Sequence, residues 1–170
     1  QFGFTIHIID GDQEADLINV ALLNYIDHKT YLHIDLGGGS TELNIYKNTQ
    51  KIASHSFRLG SVRTLDGQVS PEVWDTMTDF IRKHLSKKEL ITCIGTGGNI
   101  NKIFELSKPS SKKRFLDMSK IQEVLATLES FSYEERINIL NLNPDRADVI
   151  VPAARIYLAA MNAAHSKRMV

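Results

Sequence analysis

The chain has 170 residues, enough for one domain or one compact subdomain of something larger. Its 20 Lys+Arg balance 20 Asp+Glu, and a net charge of zero with a pI near 7.2 excludes bulk charge as a means of coating nucleic acid or an anionic membrane. With 42% hydrophobic and 24% charged residues there is apolar material for a core, so disorder is excluded as the main state.

Residues 5–9 are β-branched and end at the turn Asp10-Gly11, which predicts a strand. Asp12 then reads as an N-cap, with Glu14 in the first turn and Leu17, Ile18, Ala21 and Leu22 on one helical face. Residues 31–36 alternate as a strand. The triplet Gly37-Gly38-Gly39 turns the chain, 41–47 returns as a strand, and Asn48-Thr49 is a hairpin turn into 51–57. These three strands are expected to form an antiparallel meander. Ser70 and Pro71 mark a helix start, followed by Val73, Met77, Phe80, Ile81 and Leu85 at helical spacing and a basic run over 82–88. Residues 90–94 predict a short buried strand leading into Gly95-Thr96-Gly97-Gly98-Asn99 and a further helix. Beyond Pro109 no strand is expected. Helices are predicted over 119–130, 132–140 and 147–165, the last alanine-rich and so closely packed. The fold class is α/β with an antiparallel meander and a helical C-terminal third.

Single Cys93 excludes an internal disulfide framework and a cysteine-based zinc site. No apolar run approaches the ~20 residues a membrane span needs, no charged-then-apolar leader opens the chain, and no N-x-[ST] acceptor occurs. A reducing, cytoplasmic setting is the expectation. The chain opens on Gln1 and not on Met, as a piece of a longer polypeptide would.

The chemistry sits in two glycine clusters, each following a strand. In the first, Asp35 ends a strand and Gly37, Gly38, Gly39 and Ser40 follow. Consecutive glycines let backbone N–H groups converge on one point, which suits an anion. Asp35 beside such a nest could hold Mg²⁺, a hard ion that takes one or two carboxylates plus phosphate oxygens. A plain glycine-rich hairpin turn is the bland alternative. The second cluster, 95–99, sits where a helix begins, and unpaired N–H groups there favour an anion. Neither is a dinucleotide fingerprint: Glu42 and Ile100 stand where the third glycine of G-x-G-x-x-G belongs, and no P-loop occurs. His33 and His55 lie in strands without metal-ligand spacing and read as structural residues. Arg58 and Arg63 could contact a polyanion or be solvated strand-end residues.

Taken in order, residues 35–43 (DLGGGSTEL), 58–63 (RLGSVR) and 95–99 (GTGGN) resemble the exopolyphosphatase / guanosine pentaphosphate phosphatase family. Gly11-Asp12-Gln13-Glu14-Ala15 is similar to the family's G-x-E-E-A, and 146–154 (RADVIVPAA) resembles its late helix. The resemblance implies a ribonuclease-H-like lobe of the actin-like, sugar-kinase and Hsp70 ATPase superfamily. It implies Glu14 as the general base that activates water, and Asp35 as the Mg²⁺-associated carboxylate. It also implies Gly37, Gly38, Gly39, Ser40, Glu42, Gly95, Gly97, Gly98 and Asn99 as phosphate-contacting residues. The implied substrates are inorganic polyphosphate or guanosine pentaphosphate, losing terminal orthophosphate.

Two departures stand out. Gln13 replaces the first of the two family glutamates, and nothing matches the family's opening D-x-G-S-N-S loop. The expectation is therefore the second lobe of a two-lobe phosphatase cut at both ends, without the strand and helix that follow the late helix. Its partner would be the missing N-terminal lobe of the same polypeptide, with a homodimer as a further expectation and neither DNA nor membrane as a partner. The competing readings are a sugar-kinase or Hsp70-like ATPase, and a module that binds polyphosphate or nucleotide without hydrolysis.

Overall fold

The computed structural model describes Val20, Leu22 and residues 25–108 and 114–170. The strand expected over 5–9, Glu14 and most of the helix around it lie outside these residues; Val20 and Leu22 are helical.

The expected meander forms. β1 (Thr30–Leu36), β2 (Thr41–Lys47) and β3 (Gln50–Phe57) pair antiparallel, and β4 (Ile91–Thr96) lies parallel to β1 on its other side. The β2–β3 loop works because Asn48 and Thr49 both take positive φ, 51° and 68°, the backbone whose twist matches a two-residue hairpin. With β5 (Leu116–Asp117) and β6 (Arg168–Met169) the sheet order is β3-β2-β1-β4-β6-β5. β3, at the edge, is mostly exposed and polar, whereas β1 in the interior has Tyr31 to Ile34 buried on both faces.

Helices α1 (Ser61–Leu65), α2 (Pro71–His84), α3 (Gly98–Leu106), α4 (Met118–Ser130), α5 (Tyr133–Asn138) and α6 (Pro144–Ala163) complete the described elements. α6 packs against each of the other five and against β1. Its twelve buried residues lie all round the axis, the mark of a helix surrounded by protein and not laid on a surface. Ala147, Ala153, Ala154 and Ala160 are fully buried, and small side chains let neighbouring helices approach closely. Leu32, Ile34 and Leu36 from β1 join this core; Tyr31 belongs to a smaller cluster with Leu22, Ile26, Tyr46 and Ile94.

Two expectations need correction, and one helix stands where none was expected. Strands do occur after residue 109, because the chain end returns to the sheet. Gly95 N–H donates to the Val170 carbonyl at 3.0 Å, and Val170 N–H to the Cys93 carbonyl at 2.9 Å. A strand, β6, therefore follows the late helix, contrary to the expectation that none would; two residues carry no periodicity to read. Ser70 precedes α2 as expected, but its side chain makes no capping hydrogen bond; Ser132 of α5 does, reciprocally with Glu135. α1 was not anticipated, since five residues are too few to show a helical period.

Candidate anion-binding site

The two glycine loops meet at the C-terminal ends of β1 and β4. Register alone brings them together: Asp35 pairs with Thr96 across the parallel ladder and with Glu42 across the antiparallel one. The Asp35 carboxylate thus stands between the two loops, with Glu42, exposed, opposite it on β2.

In the first loop Gly37 N–H closes the turn onto the Ser40 carbonyl at 3.0 Å. The loop carbonyls are then consumed by α1. Gly37 O accepts from Ser61 N–H at 3.0 Å, Gly38 O from Val62 and Arg63 N–H at 3.0 and 3.1 Å, and Gly39 O from Arg63 Nε at 3.1 Å. These contacts satisfy first-turn N–H groups that α1 cannot bond internally. In a trans peptide the C=O and the following N–H point opposite ways. Turning three successive carbonyls onto α1 therefore turns the N–H groups of Gly38, Gly39 and Ser40 away from it. Amides turned in this way can face an anion, and the helix behind them does the turning. The close approach requires glycine at position 60, where a Cβ would lie 2.2 Å from Gly38 O. Thr41 Oγ1 donates to the Leu59 carbonyl, tying β2 to the same segment.

The second loop is built differently. Gly97 has φ +102°, a conformation L side chains rarely adopt, and the N-terminus of α3 follows it. A Cβ on Gly97 would lie 3.5 Å from Leu36 O and 3.9 Å from Asp35 Oδ1, so this turn faces the carboxylate directly. Gly95 has another duty. Its N–H is bonded to Val170, and a Cβ there would come within 2.9 Å of Ile100 and of the Met169 sulfur. The amides left to face an anion are those from Gly97 into the first turn of α3.

Two residues enter the site that sequence reasoning missed. Arg146, in the first turn of α6, donates to Asn99 Oδ1 at 3.1 Å, and its Nη2 lies 2.7 Å from where a Gly98 Cβ would be. A cation at a helix N-terminus opposes the dipole, and that misplaced charge was the available signal. Tyr157 donates to the Thr96 carbonyl at 3.1 Å; burial pushes its phenol well above the ordinary tyrosine range, and the nearby Asp35 charge adds to this. Of the two arginines left open between a polyanion contact and a solvated position, Arg63 spends its Nε on the first loop and Arg58 is exposed at the end of β3. Glu14 lies outside the described residues.

Asp35 fits a particular kind of metal site. Among the described residues its carboxylate takes no hydrogen bond or ion pair, and no group of three or more His, Cys, Asp or Glu could cage a metal by itself. Asp35 with Glu42 opposite it, and no set of three such ligands among the described residues, matches Mg²⁺ held jointly with phosphate oxygens and water, and does not match an all-protein cage. Among the described residues no helix is long and apolar enough to cross a membrane.

Comparison with known proteins bears on the family and the fold. The model of the Ppx/GppA phosphatase family matches residues 1–170. A guanosine-5'-triphosphate,3'-diphosphate pyrophosphatase of Aliivibrio fischeri is 23% identical over 171 residues, covering 92% of this chain and 34% of that protein. Two solved structures share the fold. An exopolyphosphatase from Cytophaga hutchinsonii has a TM-score of 0.73 at 20% identity, covering 95% of this chain and 59% of that one. The Aquifex aeolicus Ppx/GppA family member has a TM-score of 0.70 at 19% identity, covering 98% and 60%. The chain spans about a third of the length of the curated pyrophosphatase it matches. Matched along its whole length, with the meander, the parallel fourth strand and both glycine loops in place, the chain belongs to the Ppx/GppA phosphatase family.

Proposed function

We propose that this chain supplies one wall of a phosphohydrolase site that removes terminal orthophosphate from a phosphate chain, either inorganic polyphosphate or guanosine pentaphosphate. The observation that carries the reading is the turning of the Gly37–Gly39 carbonyls onto α1, which turns three consecutive N–H groups away from that helix, in a loop that follows the Asp35 strand, while Gly97 faces the Asp35 carboxylate. Phosphoryl transfer needs an in-line nucleophile and neutralised phosphate oxygens, and little covalent chemistry from the protein.

In this reading the amides of Gly38, Gly39 and Ser40 hold the phosphoryl group to be transferred. The α3 N-terminus and Arg146 hold the neighbouring phosphate. Asp35 holds Mg²⁺, which when bound neutralises charge on the phosphate oxygens. Glu14, placed by the Gly11–Ala15 motif, takes a proton from water as the water oxygen bonds to the terminal phosphorus. The P–O bond to the shortened chain breaks and its electrons stay with that oxygen, giving orthophosphate and a chain one phosphate shorter. The opposite wall comes from the remainder of a longer polypeptide, in keeping with the greater length of the relatives. The lone, buried Cys93 suits a reducing, cytoplasmic setting.

The test is orthophosphate release from polyphosphate and from guanosine pentaphosphate, with Mg²⁺, by the full-length protein that carries this chain. Glu14→Gln and Asp35→Asn should each lower turnover by about a hundredfold or more. Undiminished release from Glu14→Gln would remove the proposed base.

A further inference from the structure

Three polar side chains cross the sheet in one row, from its exposed edge to the second glycine loop, and the phosphate-binding reading has no use for them. Ser54 on β3 pairs with Asn44 on β2, and Asn44 with His33 on β1. Ser54 Oγ donates to Asn44 Oδ1 at 2.7 Å, Asn44 Nδ2 lies 3.2 Å from His33 Nδ1, and His33 Nε2 lies 3.0 Å from Thr96 Oγ1. The direction of the row follows from its first link. An amide whose oxygen faces the Ser54 hydroxyl presents only N–H to the ring, so His33 Nδ1 accepts and the ring proton sits on Nε2. Nε2–H then donates to Thr96 Oγ1, and the threonine's own proton is left for an acceptor outside the row.

His33 is fully buried on a strand face it shares with Tyr31, and Ile94 is its partner across the parallel ladder. An apolar side chain would fill that place without the desolvation cost that a buried imidazole carries. Thr96 itself is pinned at both ends, its carbonyl by Tyr157 and its hydroxyl by His33, immediately before Gly97 and level with Asp35.

We propose that His33 is a positioning residue, which through its Nε2–H turns the Thr96 hydroxyl proton toward a phosphate oxygen of the chain bound between the two glycine loops. The inference rests on the phosphate-chain reading above and adds Thr96 Oγ to the groups that hold the substrate. His33 touches no reacting atom.

The test is steady-state orthophosphate release by the full-length protein with tripolyphosphate and Mg²⁺. His33→Leu and Thr96→Val should each raise KM about tenfold and leave kcat within about twofold, as expected for a donor that binds ground and transition states alike. The double variant should be no worse than Thr96→Val alone, because both substitutions remove one interaction. His33→Gln, which keeps an N–H near the Nε2 position, should recover most of the loss. Long-range ¹H–¹⁵N NMR of the native protein should show His33 as the neutral Nε2–H tautomer. An unchanged KM in His33→Leu, effects that multiply in the double variant, or an Nδ1–H tautomer would each overturn the assignment while leaving the phosphatase reading intact. Should His33→Leu fail to fold, the tautomer and the comparison of Thr96→Val with Thr96→Ser decide the matter, Thr96→Ser being expected to keep the native KM. A wild-type protein that releases no orthophosphate from any phosphate chain overturns the reading itself.

Discussion

The two glycine loops are alike in composition and unlike in construction. The 37–39 loop uses no positive φ; it owes its shape to a helix that takes its carbonyls, and the indispensable small residue is Gly60, outside the cluster. The 95–98 loop depends on one left-handed glycine, Gly97, and on the room that Gly98 leaves for the Arg146 guanidinium. Both present amides beside Asp35, one by close packing and the other by backbone conformation. A run of glycines is therefore not one kind of signal: each position answers to a different neighbour.

Substitutions should separate the two constructions. Gly60→Ala puts a methyl group against the Gly38 peptide, where no side chain can give way, and should cost about 3 kcal/mol or more in urea unfolding. Gly97→Ala faces strain and not a clash, so the same measurement should show a loss of about 1–3 kcal/mol. A loss from Gly97→Ala larger than that from Gly60→Ala would reverse the contrast.

Arg146→Ala should weaken binding of tripolyphosphate to the full-length protein about tenfold, read by calorimetry at fixed salt. Gly98→Ala should match that loss at nearly native stability. The nearest atoms to its methyl are those of the Arg146 guanidinium, the far end of a long side chain, and alanine is the better helix former at the start of α3. Native binding in Gly98→Ala would mean that the guanidinium position does not matter. The smallest effect is expected at Gly39, where a Cβ meets nothing within 4 Å: Gly39→Ala should change unfolding free energy by about 0.5 kcal/mol or less.

The meander, its Asn48-Thr49 turn, the α2 start at Pro71 and the buried 91–94 segment were all legible in the sequence. Each is signalled within a few residues by alternation, turn chemistry or a proline. The terminal strand β6 was not, because its reason for existing is the Cys93 carbonyl and Gly95 amide some 75 positions earlier in the chain. The glycine clusters were legible as turns that follow strands, but not which of their amides the fold itself uses. Gly37 and Gly95 spend theirs on Ser40 and Val170. Nor did spacing reveal Arg146 or His33. One sat in a segment matched only as a helix, and the other looked like any strand histidine.

The sequence by itself determined the family, the order of the strands and helices it could read, and the residue types present at the loops. Those depend on local pattern and on motifs that survive in linear order. Tertiary structure alone decided that Asp35 and Thr96 stand level, that α1 turns the first loop's amides outward, and that Ser54, Asn44, His33 and Thr96 form one row. The physical reason is register. Which residues face one another across a sheet is set by the pairing of whole strands, and no single segment contains that information.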